Sequence, residues 1–100
     1  MSSAYFIGIK GVGMTALALA MQDAGWTVAG SDTDESFITD DILKRRHLGV
    51  RPLSIPIPEN TNLIIYSAAY SAPETGIKTL SLAEALSEFV KDKKLIAVAG

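Results

Sequence analysis

Cysteine is absent from this chain of 100 residues, and histidine and tryptophan occur once each. Without cysteine there is no disulfide and no thiolate metal site, which fits a reducing compartment such as the cytoplasm. The single histidine, His47, follows two arginines at the end of a predicted helix, where a cation complements the helix dipole. It has no second histidine and no nucleophile–base partner nearby in the sequence. The sequence therefore predicts no catalytic residue and no metal ligand.

Positive charge and long apolar runs are also scarce. The formal net charge is −2, which disfavours a nucleic-acid partner. No apolar run approaches the roughly 18 residues that span a bilayer, and the first four residues do not resemble a signal peptide. A hydrophobic content of 48% is enough for one core. We therefore expect a single cytoplasmic domain with no membrane partner.

Glycine, in contrast, is concentrated in one loop. Gly8, Gly11 and Gly13 lie between an apolar segment typical of a strand (5–9) and one typical of a helix (14–24). Such a turn lets a ligand approach the backbone, and the helix N-terminus attracts anions such as a nucleotide diphosphate. The first turn of this helix contains no acid that would compete. A tight turn without a ligand is the alternative.

The rest of the chain alternates between strands and helices. We expect strands at 26–29, 50–53, 62–67 (around the apolar run 63–66), 77–80 and 95–99. We expect helices at 39–48 and 81–90, an extended loop at 55–58 and a helical turn that begins at 73–74. Gly25 and Gly49 end the first two helices. The third has a capping box, Ser81 to Glu84, and an inward face of Leu82, Ala85, Leu86 and Phe89. This order predicts an α/β, Rossmann-like parallel sheet with helices on both faces.

Polar or flexible segments (8–15, 30–34 and 67–71) follow three of these strands and should form one crevice at the carboxyl edge of the sheet. Asp32, 19 residues after Gly13, either accepts ribose hydroxyls or ends its strand through backbone hydrogen bonds. Ser67 and Ala68 either border a ligand or form a compact turn. Lys10 occupies a position at which the dinucleotide fingerprint has glycine. Its side chain either reaches a phosphate or points to solvent. We favour the second alternative, because lysines in loops are usually exposed.

Five motifs in order resemble the N-terminal domain of the Mur ligases. Residues 6–15 are similar to the family's F-I-G-I-G-G-x-G-M-S, 30–32 to G-S-D, 65–69 to V-x-S-S-A, 82–86 to R-A-E-M-L, and 96–100 to the I-A-V-A-G that precedes a phosphate-binding loop. The sequence departs from the pattern at Lys10, a glycine in the family, and at Ala68, often a serine. Together the motifs cover nearly the whole chain.

The resemblance implies a binding role within a larger enzyme. Such ligases use ATP and Mg²⁺ to activate UDP-N-acetylmuramic acid, which an amino acid then attacks, and the likeness is greatest to the L-alanine-adding member. Residues 1–100 would be the UDP-binding domain, cut before the ATP-binding domain, without a cofactor of its own and inactive alone. The implied substrate-binding residues are Gly8, Lys10, Gly11, Val12, Gly13, Met14, Thr15, Ser31, Asp32, Ser67 and Ala68.

Three other functions remain open from the sequence. The related tripeptide-adding ligase shares the same nucleotide sugar. An NAD(P)-binding domain of an oxidoreductase would favour glycine at position 10. A non-catalytic nucleotide sensor would bind the same ligand without a ligase module.

Overall fold

The computed structural model describes residues 2–92. Five strands lie in this part of the chain: β1 (Ser3–Ile7), β2 (Thr27–Asp32), β3 (Val50–Pro52), β4 (Leu63–Tyr66) and β5 (Lys78–Ser81). Three helices accompany them: α1 (Val12–Asp23), α2 (Asp40–Arg45) and α3 (Leu82–Asp92). Among these residues no helix has the length and apolar content needed to cross a membrane. The strand predicted at 95–99 lies outside the described residues.

The five strands form one sheet in the order β3-β2-β1-β4-β5, and every neighbouring pair is parallel. The chain moves outward from β1 to β3, then returns to the other side of β1 for β4 and β5. The connections after β1 and β4 therefore diverge from adjacent strand ends, which is where open parallel sheets bind ligands. The Rossmann-like α/β fold and the single domain are confirmed.

The main core lies between one face of the sheet and all three helices. Phe6 of β1 and Ile65 of β4 are fully buried there, together with Met21 of α1, Leu43 of α2 and Phe89 of α3. The sequence predicted helices on both faces of the sheet, whereas the three helices of the described residues all pack against this face. The connections that cross the other face, residues 53–62 and 67–77, are turns and extended chain, including the predicted loop at 55–58. That face is nevertheless buried at its centre, where β4 contributes Ile64.

Helices α1 and α2 end in the same way, with one residue in the left-handed region followed by backbone hydrogen bonds to the last turn. After α1 that residue is Gly25, with φ of +101°, as predicted. After α2 it is His47, with φ of +58°. The prediction that Gly49 stops this helix is wrong, because the chain has already turned two residues earlier.

Helix α3 begins with the predicted capping box. The Ser81 N–H donates to Glu84 Oε1 at 2.8 Å, and the Glu84 N–H donates to Ser81 Oγ at 3.1 Å. Ala85 and Phe89 are buried as expected, but Leu86 is 40% exposed, so its assignment to the inward face is wrong. The helix presents its 85/89 stripe to the core, and Leu86 lies beside that stripe. The helical turn predicted at 73–74 is also wrong, since these residues are irregular.

Candidate nucleotide-binding site

The glycine loop leaves β1 two residues earlier than predicted, at Gly8, which has φ of +87°. Its N–H donates to the Ser31 carbonyl at 2.8 Å. A Cβ atom at this position would lie 2.7 Å from Ser67 Oγ and 2.8 Å from the ring of Tyr70. Glycine is therefore required both by the backbone conformation and by the close approach of the loop after β4.

Helix α1 begins directly beyond this turn, and its first backbone N–H groups have no acceptor within the helix. Gly11 is the N-cap, and the first helical hydrogen bond runs from the Thr15 N–H to the Gly11 carbonyl at 2.8 Å. The N–H groups of Val12, Gly13 and Met14 precede that bond. Val12 is 65% exposed, and the first turn carries no acidic side chain. The positive end of the helix dipole therefore faces outward at the carboxyl edge of the sheet.

Thr15 is placed differently from the other residues of the loop. Its side chain is buried, and its hydroxyl donates to the Ile9 carbonyl at 2.6 Å. This bond fixes the turn between β1 and α1. Ligand binding by the Thr15 hydroxyl, which the family resemblance implies, stays a prediction. In this structure the hydroxyl proton is already donated to the Ile9 carbonyl.

Asp32 joins three strand ends. It is the last residue of β2, at the strand end where the sequence predicted it, and it is only 6% exposed. Its Oδ2 accepts the Lys10 N–H at 2.8 Å, and its Oδ1 accepts the Thr33 N–H at 2.7 Å and the Tyr70 hydroxyl at 3.1 Å. The Thr33 contact matches the reading in which Asp32 ends its strand through backbone bonds. A carboxylate has about four acceptor positions, so one remains for a ligand.

The loop after β4 closes over the same point. The Ser67 N–H continues the ladder to the Ile7 carbonyl, and Ser67 Oγ accepts the Ala69 N–H at 3.3 Å. Ala68 is exposed at the tip. The expected meeting of all three loops is therefore confirmed: the β4 loop reaches Gly8 and Asp32.

Tyr70 is the residue of this loop that the sequence reasoning missed. Its ring packs on Gly8 and its hydroxyl reaches Asp32. Burial raises the pKa of the phenol, and the negative charge and hydrogen bond of Asp32 and the charge of Glu35 raise it further. An aromatic residue soon after a run of small residues at a strand end was the available signal, and its partner is 38 positions away.

Lys10 does not point to solvent, and that prediction is wrong. Its side chain is 8% exposed. The ammonium donates to the Glu35 carbonyl at 2.6 Å, lies 3.4 Å from Asp40 Oδ1, and stands 5.5 Å from the centre of the Phe37 ring. The positive charge is drawn to the segment between β2 and α2 because that segment supplies an acceptor, a carboxylate and an aromatic face.

Two cavities lie on either side of Lys10. One, of about 360 Å³, is lined by Lys10 and by residues 32–34 and 50–53, at the ends of β2 and β3. The other, of about 520 Å³, lies along α2 and includes Asp40 and His47. Only the first touches Asp32. In residues 2–92 no three His, Cys, Asp or Glu side chains are grouped as a metal would require.

The chain is similar in sequence to a known family of ligases. The pattern described as "Mur ligase family, catalytic domain" matches residues 3–94. The chain belongs to the Mur ligase family. A UDP-N-acetylmuramate–L-alanine ligase from Campylobacter jejuni strain RM1221 is 42% identical over 112 aligned positions, which cover 100% of this chain and 25% of that protein.

Two Mur ligases of lower sequence identity carry the same name. The UDP-N-acetylmuramate–L-alanine ligases of Desulfitobacterium hafniense strain Y51 and Lactobacillus delbrueckii subsp. bulgaricus strain ATCC BAA-365 are 37% and 36% identical, over 96% of this chain and 23% and 24% of those proteins. The chain thus spans about a quarter of the length of these relatives. No solved structure matches it significantly.

Proposed function

We propose that this chain binds the UDP part of UDP-N-acetylmuramic acid, as the nucleotide-sugar-binding domain of a UDP-N-acetylmuramate–L-alanine ligase. The observation that carries the proposal is the acid-free N-terminus of α1, which opens at the point where the chain reverses its direction across the sheet. The name that the relatives share supplies the identity of the nucleotide sugar.

The diphosphate is assigned to the start of α1. The N–H groups of Val12, Gly13 and Met14 are donors without a helical acceptor, and an anion there completes them. Gly8 makes room for the loop after β4, and Gly11 leaves the approach to these donors without a side chain. The helix α2 differs, because Asp40 and Asp41 occupy its first turn and already complement its dipole.

The nucleoside is assigned to the cavity of about 360 Å³ beside Asp32. The remaining acceptor position of this carboxylate suits a ribose hydroxyl or a base N–H. Ser31 supports the site from inside, since its side chain is buried and its carbonyl holds the N–H groups of Gly8 and Ile9. Ser67 and Ala68, which do not line this cavity, are assigned to the part of the site on the β4 side of the glycine loop.

The catalytic steps belong to the parts of the enzyme that this chain does not include. The parent protein would use ATP and Mg²⁺ to activate the carboxylate of the sugar and would join it to L-alanine, in the cytoplasm. Residues 1–100 alone would bind but not ligate. Ligase turnover by the purified chain would contradict this part of the proposal.

Amide chemical shifts measured by NMR test the binding step. We expect UDP and UDP-N-acetylmuramic acid to shift the amides of residues 11–15, and NADH to shift them less. A preference for NADH would support the oxidoreductase alternative and contradict the proposal. A tripeptide-adding ligase shares the UDP ligands, so assays of the parent enzyme with L-alanine and with the tripeptide separate those two.

Val12→Asp provides a variant that loses binding without losing the fold. An acid in the first turn stabilises a helix by about 0.3–1 kcal/mol, but it repels a diphosphate from the same place. We expect at least about tenfold weaker UDP binding, with an unchanged or higher melting temperature. Val12→Asn is the matched control and should retain most of the affinity. Equal loss in both variants would argue against an anion at this helix.

A further inference from the structure

Every polar group of Lys10 is engaged by one segment of the chain, residues 32–40. Its N–H donates to Asp32, and its carbonyl accepts the Thr39 hydroxyl at 2.6 Å. Its ammonium is held by the Glu35 carbonyl and by Asp40. The residue therefore connects the glycine loop to the beginning, middle and end of the connection between β2 and α2.

This arrangement directs the ammonium away from the anion site. A lysine that neutralises a phosphate keeps its charge free for the ligand. Here a carboxylate, a carbonyl and the Phe37 ring already surround the charge, and the side chain is 8% exposed. Its contacts lie on the β2 side of the glycine loop, where residues 32–34 line the nucleoside cavity.

We infer that Lys10 is a positioning residue, which holds residues 33–39 in place so that Thr33 and Asp34 keep their positions in the lining of the nucleoside cavity, and which does not bind the diphosphate. This inference rests on the proposed function for the identity of the ligand. It assigns to Lys10 a contribution to nucleoside binding that acts through the conformation of a loop.

Separate probes for the two halves of the ligand test this role in the 100-residue chain. Lys10→Met retains the stem and removes the charge. We expect this variant to bind uridine and UDP roughly tenfold more weakly, the equivalent of one lost charge-assisted hydrogen bond, and to bind inorganic pyrophosphate as the unmodified chain does. Weaker pyrophosphate binding with unchanged uridine binding would overturn the inference, because it would place the charge on the diphosphate.

Asp40→Asn is the second variant, and it keeps the test available if Lys10→Met does not fold. It leaves Lys10 in place and removes the partner charge, so uridine binding should weaken less than in Lys10→Met, with pyrophosphate binding again retained. Weaker pyrophosphate binding or unchanged uridine binding in Asp40→Asn would count against the inference.

The conformation of the loop is measured without any ligand. Backbone ¹⁵N relaxation should show greater motion of residues 33–39 in Lys10→Met than in the unmodified chain, with α1 unchanged. Equal motion in the two proteins would refute the positioning role. If the unmodified chain binds neither uridine nor UDP, the proposed function fails, and the relaxation comparison still decides whether Lys10 orders the loop.

Discussion

The residue that ends α2 offers a direct test of backbone strain. His47 adopts φ of +58°, and its N–H and that of Leu48 return to the carbonyls of Lys44 and Leu43. Gly25 ends α1 with the same pattern of hydrogen bonds. The two helices thus end in the same type of turn, with glycine in the left-handed position after α1 and a residue that has a Cβ atom in that position after α2.

The expected gain from His47→Gly follows from two opposing terms. A non-glycine residue in the left-handed region costs roughly 1–2 kcal/mol. Glycine avoids this cost but loses more backbone entropy on folding, by about 0.5–1 kcal/mol. The His47 side chain is exposed, so its removal sacrifices little packing. We expect the free energy of unfolding to rise by about 0.5–1 kcal/mol, or roughly 2–8 °C in melting temperature for a domain of this size.

Thermal unfolding followed by circular dichroism, in about 0.2 M salt to screen the helix dipole, measures this gain. His47→Ala is the control for the loss of the imidazole, since it keeps the Cβ atom and should give no comparable gain. Gly25→Ala should lower stability by about 1 kcal/mol, because its Cβ meets nothing within 4 Å and only the backbone conformation opposes it. A His47→Gly protein no more stable than His47→Ala would refute the reasoning.

Four other changes have expected outcomes. Gly30→Ala should lower the free energy of unfolding by about 3 kcal/mol, measured by urea denaturation, because its Cβ would lie 2.6 Å from a backbone oxygen of β1; near-normal stability would contradict this contact. Ser81→Ala should cost about 1 kcal/mol. The pKa of Glu84 is lowered, chiefly by the hydrogen bond from the Ser81 N–H. The contribution of Glu84 to folding stability is therefore present above the ordinary pKa of 4.5 and is lost as pH falls through the folded pKa. Glu84→Gln should remove this part of the pH dependence of stability, and an unchanged pH profile would contradict the contribution of Glu84. The raised pKa of Tyr70 gives stability that is present below 10.0 and lost as pH rises through the folded value. Tyr70→Phe should remove one phenolate absorbance step above the ordinary value of 10.0 and lower stability by about 1 kcal/mol through loss of the bond to Asp32; an unchanged number of steps above that value would contradict the assignment.

The fold, and the edge of the sheet at which the candidate site lies, could be predicted from the sequence because both depend on local patterns. Alternating strands and helices imply a parallel sheet, and in a parallel sheet the segments after the strands share one edge. Gly25 and the capping box of Ser81 and Glu84 were predictable for the same reason, since all their partners lie within a few residues.

The contacts that refine the site depend on residues far apart in the chain. Lys10 meets Glu35 and Asp40, and Tyr70 meets Asp32. General preferences describe a loop lysine as exposed, and they fail here because a particular segment brings an acceptor and a carboxylate to it. Leu86 was assigned wrongly to the inward face because helical spacing predicts where the buried stripe of a helix runs but not how wide that stripe is.

The connection between β3 and β4 divides the molecule into two contiguous pieces. Its extended stretch at 55–58 separates a first piece with β1, β2 and β3 from a second with β4, β5 and α3. The pieces meet along one parallel ladder, from Ala4–Ile7 to Leu63–Tyr66, through contacts between α1 and α3, and where Tyr70 contacts Gly8 and Asp32. A break in this stretch would give two fragments with complementary edges, so their reassociation could be read out as a split reporter in which each half contributes one side of the site.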